Sequence, residues 1–177
     1  RGRKFTVPET IYVAKAVAHA LKAAWESPAQ IVHRDIKPSN IIVSYTSAVI
    51  NPLIQEHQPP ENIAFLDLNI LESKIKVMDF GLARISKGIQ ESSMGGRIIG
   101  TPKYISPEQG IGTPADIRSD IYSLGIVMYE TVTGRIPFDS DSAIELIRSH
   151  IHTEPPPPSL FNNRLPGNLE KVILKCI

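Results

Sequence analysis

A single cysteine, Cys176, in 177 residues excludes an internal disulfide and any cysteine-rich zinc centre, and fits a reducing compartment. No apolar run approaches the roughly 18 residues that a membrane-spanning helix needs. Neither sign of charge prevails: 19 basic and 18 acidic residues leave a formal net charge of +1. That balance gives no electrostatic case for nucleic acid, an anionic membrane surface or an acidic substrate. The first residues, "RGRKFTVPE", hold neither an initiator Met nor the apolar core of a signal peptide, so the chain reads as cut from something longer. Internal repeats are missing too.

What is present is ordinary for a globular protein, with 42% apolar and 21% charged residues. The length suits about one domain, enough to remove roughly 70% of the unfolded chain's surface from water. "TVPE" at 6–9 has the form of a helix start, with Thr6 as cap and Glu9 as its capping-box partner. Ile11, Ala14, Ala18, Leu21 and Trp25 then recur at helical spacing, which predicts an amphipathic helix over residues 7 to 25. "NIIVS" (40–44), "IAFLDL" (63–68) and "KIKVMDF" (74–80) read as strands, and residues 86 to 100 as a mobile loop. Helical spacing returns at 119–133, on Ile121, Leu124, Val127, Met128, Thr131 and Val132, with Gly134 as a stop. Shorter helices are predicted at 142–151, on Ile144, Ile147 and Ile151, and at the end, on Leu169, Val172, Ile173 and Cys176. "PPPP" at 155–158 reads as a stiff connector between helices rather than a partner's ligand, and His150 and His152, with no third ligand, do not make a metal site.

The chemistry concentrates in "HRDIKPSN" (33–40), "DFG" (79–81) and "SPE" (106–108), in that order. With "GTPKYISPEQ" (100–109) and "RSDIYSLGIVMYETVTGRIPF" (118–138), they resemble the catalytic segment of the Ser/Thr type of protein kinase, in its bacterial eukaryotic-like form. The resemblance covers nearly the whole chain apart from residues 44 to 73. It implies an α+β, mainly α fold: the large, C-terminal lobe of a kinase, with a small β element carrying the catalytic and DFG loops.

The resemblance also assigns roles. Asp35 would accept the proton of a substrate hydroxyl, and Lys37 would meet the transferring phosphate of ATP as a point charge. Asn40 and Asp79 would hold Mg²⁺ through oxygen, and Lys37, Asn40, Ile42 and Asp79 would line the nucleotide site. His33 is a structural residue holding the loop. Gly81 frees the backbone after Asp79. Thr101 bridges Asp35 and Lys37 and helps form the peptide-docking surface. Asp120 caps its helix and supports the catalytic loop. Arg34 would grip a phosphate in the loop that holds Ser92 and Ser93, ordering it. Taken singly, each of these is as readily a packing, capping or polar loop residue; their company is what sets them apart.

Three departures from the family bound the expectation. Residues 1–177 contain neither the glycine-rich loop nor the strand lysine of the small lobe, so this segment alone is expected to be inactive. Asn40 and Asp79 stand 39 positions apart where the family has a tight hairpin, so residues 44 to 73 form an insertion. Ser106 replaces the usual alanine, and Glu108 ordinarily pairs with an arginine in a final helix that this stretch lacks. The implied function is transfer of the ATP γ-phosphate to Ser or Thr of a protein substrate by a longer parent, in the cytoplasm where ATP is found, whether that parent is free or anchored to a membrane. No contact with nucleic acid or membrane is expected of this segment. The alternative is a non-catalytic pseudokinase module that binds protein partners. A small-molecule phosphotransferase would have no use for "GTPKYISPE".

Overall fold

The computed structural model describes residues 5–44, 74–80 and 102–177. The predicted strand at 63–68, the loop at 86–100 and nearly all of the 44–73 insertion lie outside the described residues.

The first helix, α1, is Val7–Glu26, and the residues singled out from sequence build its first turn. The Glu9 N–H donates to the Thr6 hydroxyl at 3.4 Å, and the Thr6 N–H donates to the Glu9 carboxylate at 2.6 Å. Both donors would otherwise be left open by the helix. The buried face differs from the predicted stripe. Val13, Ala14, Val17 and Leu21 are buried, whereas Ile11 is 39% exposed and Ala18 faces solvent. Two apolar stripes overlap on this helix, and packing against a neighbour decides between them.

That neighbour is the central helix. In chain order the next elements are a 3₁₀ turn (Pro38–Asn40), strands β1 (Ile41–Ser44) and β2 (Lys74–Val77), α2 (Pro107–Ile111) and α3 (Ile117–Thr133). They are followed by α4 (Ala143–His152), a 3₁₀ turn (Pro158–Leu160) and α5 (Gly167–Cys176). Among the described residues the arrangement is mainly helical with one small sheet, as the sequence predicts. From Tyr122 to Tyr129 every residue of α3 is buried, because α1 packs on one side of it and α5 on another. Leu124, Val127, Met128 and Val132 join Val13, Val17 and Leu21 of α1 and Leu169 and Ile173 of α5 in one apolar cluster. Gly125 marks the closest approach of α5: a Cβ there would lie 2.7 Å from Cys176 Cβ and from Ile177 Cγ2. Gly134 ends α3 at φ 78, the left-handed conformation that glycine adopts without strain.

The predicted faces of α3 and α5 hold at Leu124, Val127, Met128, Val132, Leu169 and Ile173 with one exception each, and that of α4 is turned. Ile121 and Val172 are exposed; on α4, Leu146 and His150 point inward while Ile144 is exposed. α2 is a helix that the period did not reveal. Ser106 caps it with Gln109 as capping-box partner, and Gly110 lets α4 approach, since a Cβ there would come within 2.8 Å of Ile147. The proline connector leads from α4 to the second 3₁₀ turn, and the Tyr129 hydroxyl donates to the Pro156 carbonyl at 2.9 Å.

Strands β1 and β2 pair antiparallel, with Ile41 opposite Val77 and Ser44 opposite Lys74. Ile41, Val43, Ile75 and Val77 pack against the helical cluster, so the ladder's ends are fixed relative to α1 and α3. The strand predicted at 74–80 is cut short at Val77, because Met78–Phe80 leave the ladder for the site described next.

Candidate active site

The site begins where the ladder ends. The 3₁₀ turn delivers Asn40 beside β1, and the Met78 N–H donates to the Asn40 carbonyl at 2.8 Å. Asn40 and Asp79, far apart in sequence, are thereby brought to adjacent strand ends.

Below them, the buried Asp120 carboxylate organises the loop from His33. One oxygen accepts the His33 N–H and the other the Arg34 N–H, both at 2.7 Å. Burial pushes the Asp120 carboxyl above its usual range, and the two backbone donors offset only part of that shift. Asp120 is not the N-cap: Asp116 holds that place, accepting the Arg118 N–H at 2.8 Å, and Asp120 sits one turn inside α3. Being inside the helix frees its carboxylate from its own helix end, so both oxygens reach the loop.

His33 is fully buried and ties three segments together. Its Nδ1 accepts the Asp35 N–H at 3.2 Å, which fixes the proton on Nε2, and Nε2 lies 2.6 Å from the Met78 carbonyl. Phe80 stacks edge-on against the ring, with centroids 4.8 Å apart. Met78 is thus clamped through both its N–H and its carbonyl, and the following residue must turn away.

Two residues carry the consequence. Arg34 has φ 68 and Asp79 has φ 62, left-handed conformations that cost a residue with a Cβ about 1–2 kcal/mol. Around Arg34 the cost is offset by Asp120 at its N–H and by Gln109 Nε2, which donates to its carbonyl at 2.9 Å. Its side chain is exposed.

Above this base, Asp35 presents its carboxylate at 55% side-chain exposure, with Lys37 Nζ 2.7 Å away and Asn40 Nδ2 at 3.1 Å. Asn40 Nδ2 also donates to the Asp35 carbonyl at 2.8 Å. With its amide nitrogen so engaged, Asn40 leaves its Oδ1 for another partner. Asp79 follows Met78 at the adjacent strand end, and an amide oxygen with a carboxylate is the kind of donor set that would suit Mg²⁺. Ile42, 40% exposed, alternates away from the core-facing Ile41 and Val43.

A second surface lies alongside. The Ser123 hydroxyl donates to the Tyr104 carbonyl at 2.7 Å, and the Tyr104 hydroxyl donates to Glu130 at 2.6 Å. Burial and that neighbouring carboxylate push the Tyr104 phenol upward. Glu108, expected to lack its partner, accepts a hydrogen bond from the Ser119 hydroxyl. Gly81, Ser92, Ser93 and Thr101 lie outside the described residues.

Sequence reasoning missed Gln109, Ser119, Tyr104 and Glu130. Only Gln109 carried a signal, since "SPEQ" has the capping-box form.

Residues 1–165 match the family model described as protein kinase domain. This chain belongs to the protein kinase family. Among curated kinases, it is 38% identical over 148 residues to the serine/threonine-protein kinase PknB of Mycobacterium tuberculosis, an alignment covering 83% of this chain and 20% of the relative. It is 38% identical over 174 residues to the probable serine/threonine-protein kinase CA_C1728 of Clostridium acetobutylicum, covering 98% of this chain and 22% of that one. The probable serine/threonine-protein kinase CE0033 of Corynebacterium efficiens is 37% identical over 166 residues, covering 91% and 21%. The chain spans about a fifth of the length of these curated kinases. Among the described residues no helix is long and apolar enough to cross a membrane.

Proposed function

We propose that this chain is the large-lobe part of a protein Ser/Thr kinase that transfers the γ-phosphate of ATP to a hydroxyl of a protein substrate. The observation that carries the reading is the clustering of Asp35, Lys37 and Asn40 in one loop, with Asn40 bonded across the ladder end to Met78, the residue before Asp79. A loose phosphoryl-transfer transition state asks the protein mainly to position groups and neutralise charge. Asp35, whose carboxylate is exposed and oriented by Asn40, takes the proton of the incoming hydroxyl and holds its oxygen in line. Lys37, held 2.7 Å from that carboxylate, faces the transferring phosphate. Asn40 Oδ1 and the Asp79 carboxylate would hold Mg²⁺, which would supply charge neutralisation to the triphosphate. Segment 102–106, fastened through Tyr104, docks the substrate peptide.

Phosphotransfer also needs a roof of backbone donors and a lysine on the phosphates, and residues 1–177 contain neither motif. Loss of one preorganised donor costs on the order of 10²–10³ in rate, so this segment alone phosphorylates nothing measurable. The test belongs in the full-length protein: Asp35→Asn should lower peptide phosphorylation by at least about a hundredfold while nucleotide binding stays within about twofold. Unchanged turnover by that variant would refute the assignment of Asp35.

A further inference from the structure

Arg34 is pinned on both sides of its strained torsion. Its N–H, before the torsion, donates to the Asp120 carboxylate at 2.7 Å, and its carbonyl, after it, accepts from Gln109 Nε2 at 2.9 Å. Between the two lies φ 68, a value that a residue with a Cβ adopts only where its surroundings enforce it. Relaxation of that torsion would swing the carbonyl and everything after it, beginning with Asp35. The Asp35 N–H gives weaker resistance, since it meets His33 Nδ1 at 3.2 Å across only two residues. Gln109 therefore makes the shorter of the two bonds that hold the peptide group from which Asp35 projects.

The other end of the same amide faces the docking segment. Gln109 Oε1 accepts from the Ser106 N–H at 3.2 Å and from the Ser106 hydroxyl at 3.1 Å. These partners settle which way the amide points: a backbone N–H can only donate and the Arg34 carbonyl can only accept. One carboxamide thus spends its oxygen on the last residue of segment 102–106 and its nitrogen on the residue before Asp35. Among the described residues this is the one hydrogen bond that joins 102–111 to the loop 33–40. Its helix, α2, is seated on the frame in its own right, through Glu108 on the Ser119 hydroxyl and through Gly110, where α4 comes close. A capping-box partner needs only the oxygen, so the bond to Arg34 calls for a reason beyond the cap.

We propose that Gln109 is a positioning residue for phosphoryl transfer: it holds Arg34 in its left-handed turn, and so keeps Asp35 aimed in register with the segment that docks the substrate. Base and substrate hydroxyl then share one frame, and the alignment that in-line transfer demands is set before the peptide arrives. This rests on reading Asp35 as the proton acceptor and 102–106 as the peptide-docking surface.

The test uses the full-length protein, a phosphorylatable Ser/Thr peptide with MgATP, and two variants that split the amide's roles. Gln109→Glu keeps an oxygen for the Ser106 cap and loses the donor to Arg34, whereas Gln109→Lys keeps a donor and loses the cap oxygen. Gln109→Glu is expected to lower kcat about tenfold, with the peptide KM changed by less than about threefold and the melting temperature by less than about 2 °C. Gln109→Lys should do the reverse, lowering the melting temperature by about 4 °C while kcat stays within about threefold of wild type. A residue that only capped α2 would give the opposite pattern. Wild-type kcat in Gln109→Glu, or a loss in Gln109→Lys as large as in Gln109→Glu, would overturn the proposal while the kinase reading stands. If Gln109→Glu does not fold, Gln109→Lys decides alone, a tenfold fall in its kcat counting against the proposal and a near wild-type kcat for it. Should the wild-type protein phosphorylate no Ser/Thr peptide, the kinase reading itself falls and takes this role of Gln109 with it.

Discussion

Asp120 and His150 are both buried ionisable side chains, and each lies under a loop that the site uses. Asp120 spends both oxygens on backbone N–H groups at 2.7 Å and leaves nothing open. His150 uses Nδ1 on a neighbouring helix and leaves Nε2 unpaired beside the loop above. The difference separates two kinds of support. A saturated polar group over-determines its loop, and the left-handed Arg34 immediately after His33 persists because Asp120 holds its N–H while Gln109 holds its carbonyl. An unsaturated one is fixed by its single bond to Tyr122 and by packing against Phe138.

The most damaging way to break the contrast is Asp120→Ala. Two buried N–H groups would lose their acceptor and Arg34 its hold, so about 4 kcal/mol of stability should go, read by urea unfolding. Catalytic turnover should fall more than about a hundredfold. A loss of less than about 1 kcal/mol would show that water replaces the carboxylate and that the loop is held by other means.

Acid probes the other member. Burial lowers the His150 imidazole to about 4 from an ordinary 6.5, with the nearby backbone of Lys103 and Pro102 offsetting only part. The unfolded chain therefore takes up this proton first, so the stability His150 contributes is complete above pH 6.5 and is lost as pH falls towards 4. The loss should reach about 3 kcal/mol and be missing in His150→Gln. Asp120 acts in the opposite sense: its carboxyl is raised by burial, so the folded state binds that proton more readily and acid favours folding through this group. The difference between wild type and His150→Gln across that pH range isolates the histidine.

Smaller changes calibrate the frame around both residues. Gly125→Ala would bring a Cβ within 2.7 Å of Cys176 and Ile177, forcing α5 off α3 at a cost of about 2 kcal/mol. Thr6→Ala removes the cap of α1, far from either loop, and should cost about 1 kcal/mol in thermal unfolding with the peptide KM unchanged. A shift in that KM would mean the docking segment senses the whole helical frame.

How much of this could be read beforehand follows from the range of the interactions. Thr6 and Glu9 are three residues apart, and so are Ser106 and Gln109, so both caps are local patterns; the second went unread only because a five-residue helix gives no period. Asp120 reads as a cap because the helical period starts beside it at 119, whereas the backbone turns into the helix earlier, with Asp116 as the cap at φ −122. The buried side of α1 depended on α3, more than ninety residues away in sequence. The left-handed Arg34 carries no compositional mark and is held by bonds to Asp120 and Gln109, whereas Asp79, a residue type that visits this region more readily, follows a Met78 clamped at both backbone groups. Asp35, Lys37 and Asn40 were legible as a group because one short loop holds them all. His150 was not, since its partner Tyr122 stands 28 residues earlier on another helix.

The register of β1 and β2 has a practical bearing. Ser44 pairs directly with Lys74, so whatever occupies positions 45–73 starts and ends at one strand spacing. Even a segment of that length with no structure of its own would raise the closure cost over a tight turn by only about 2 kcal/mol. The hairpin is accordingly a natural splice port: a foreign module whose termini lie close together could be grafted there. Its two ends would tug on the very strands that terminate in Asn40 and Asp79, so a ligand that spreads the guest's termini would become a handle on the enzyme.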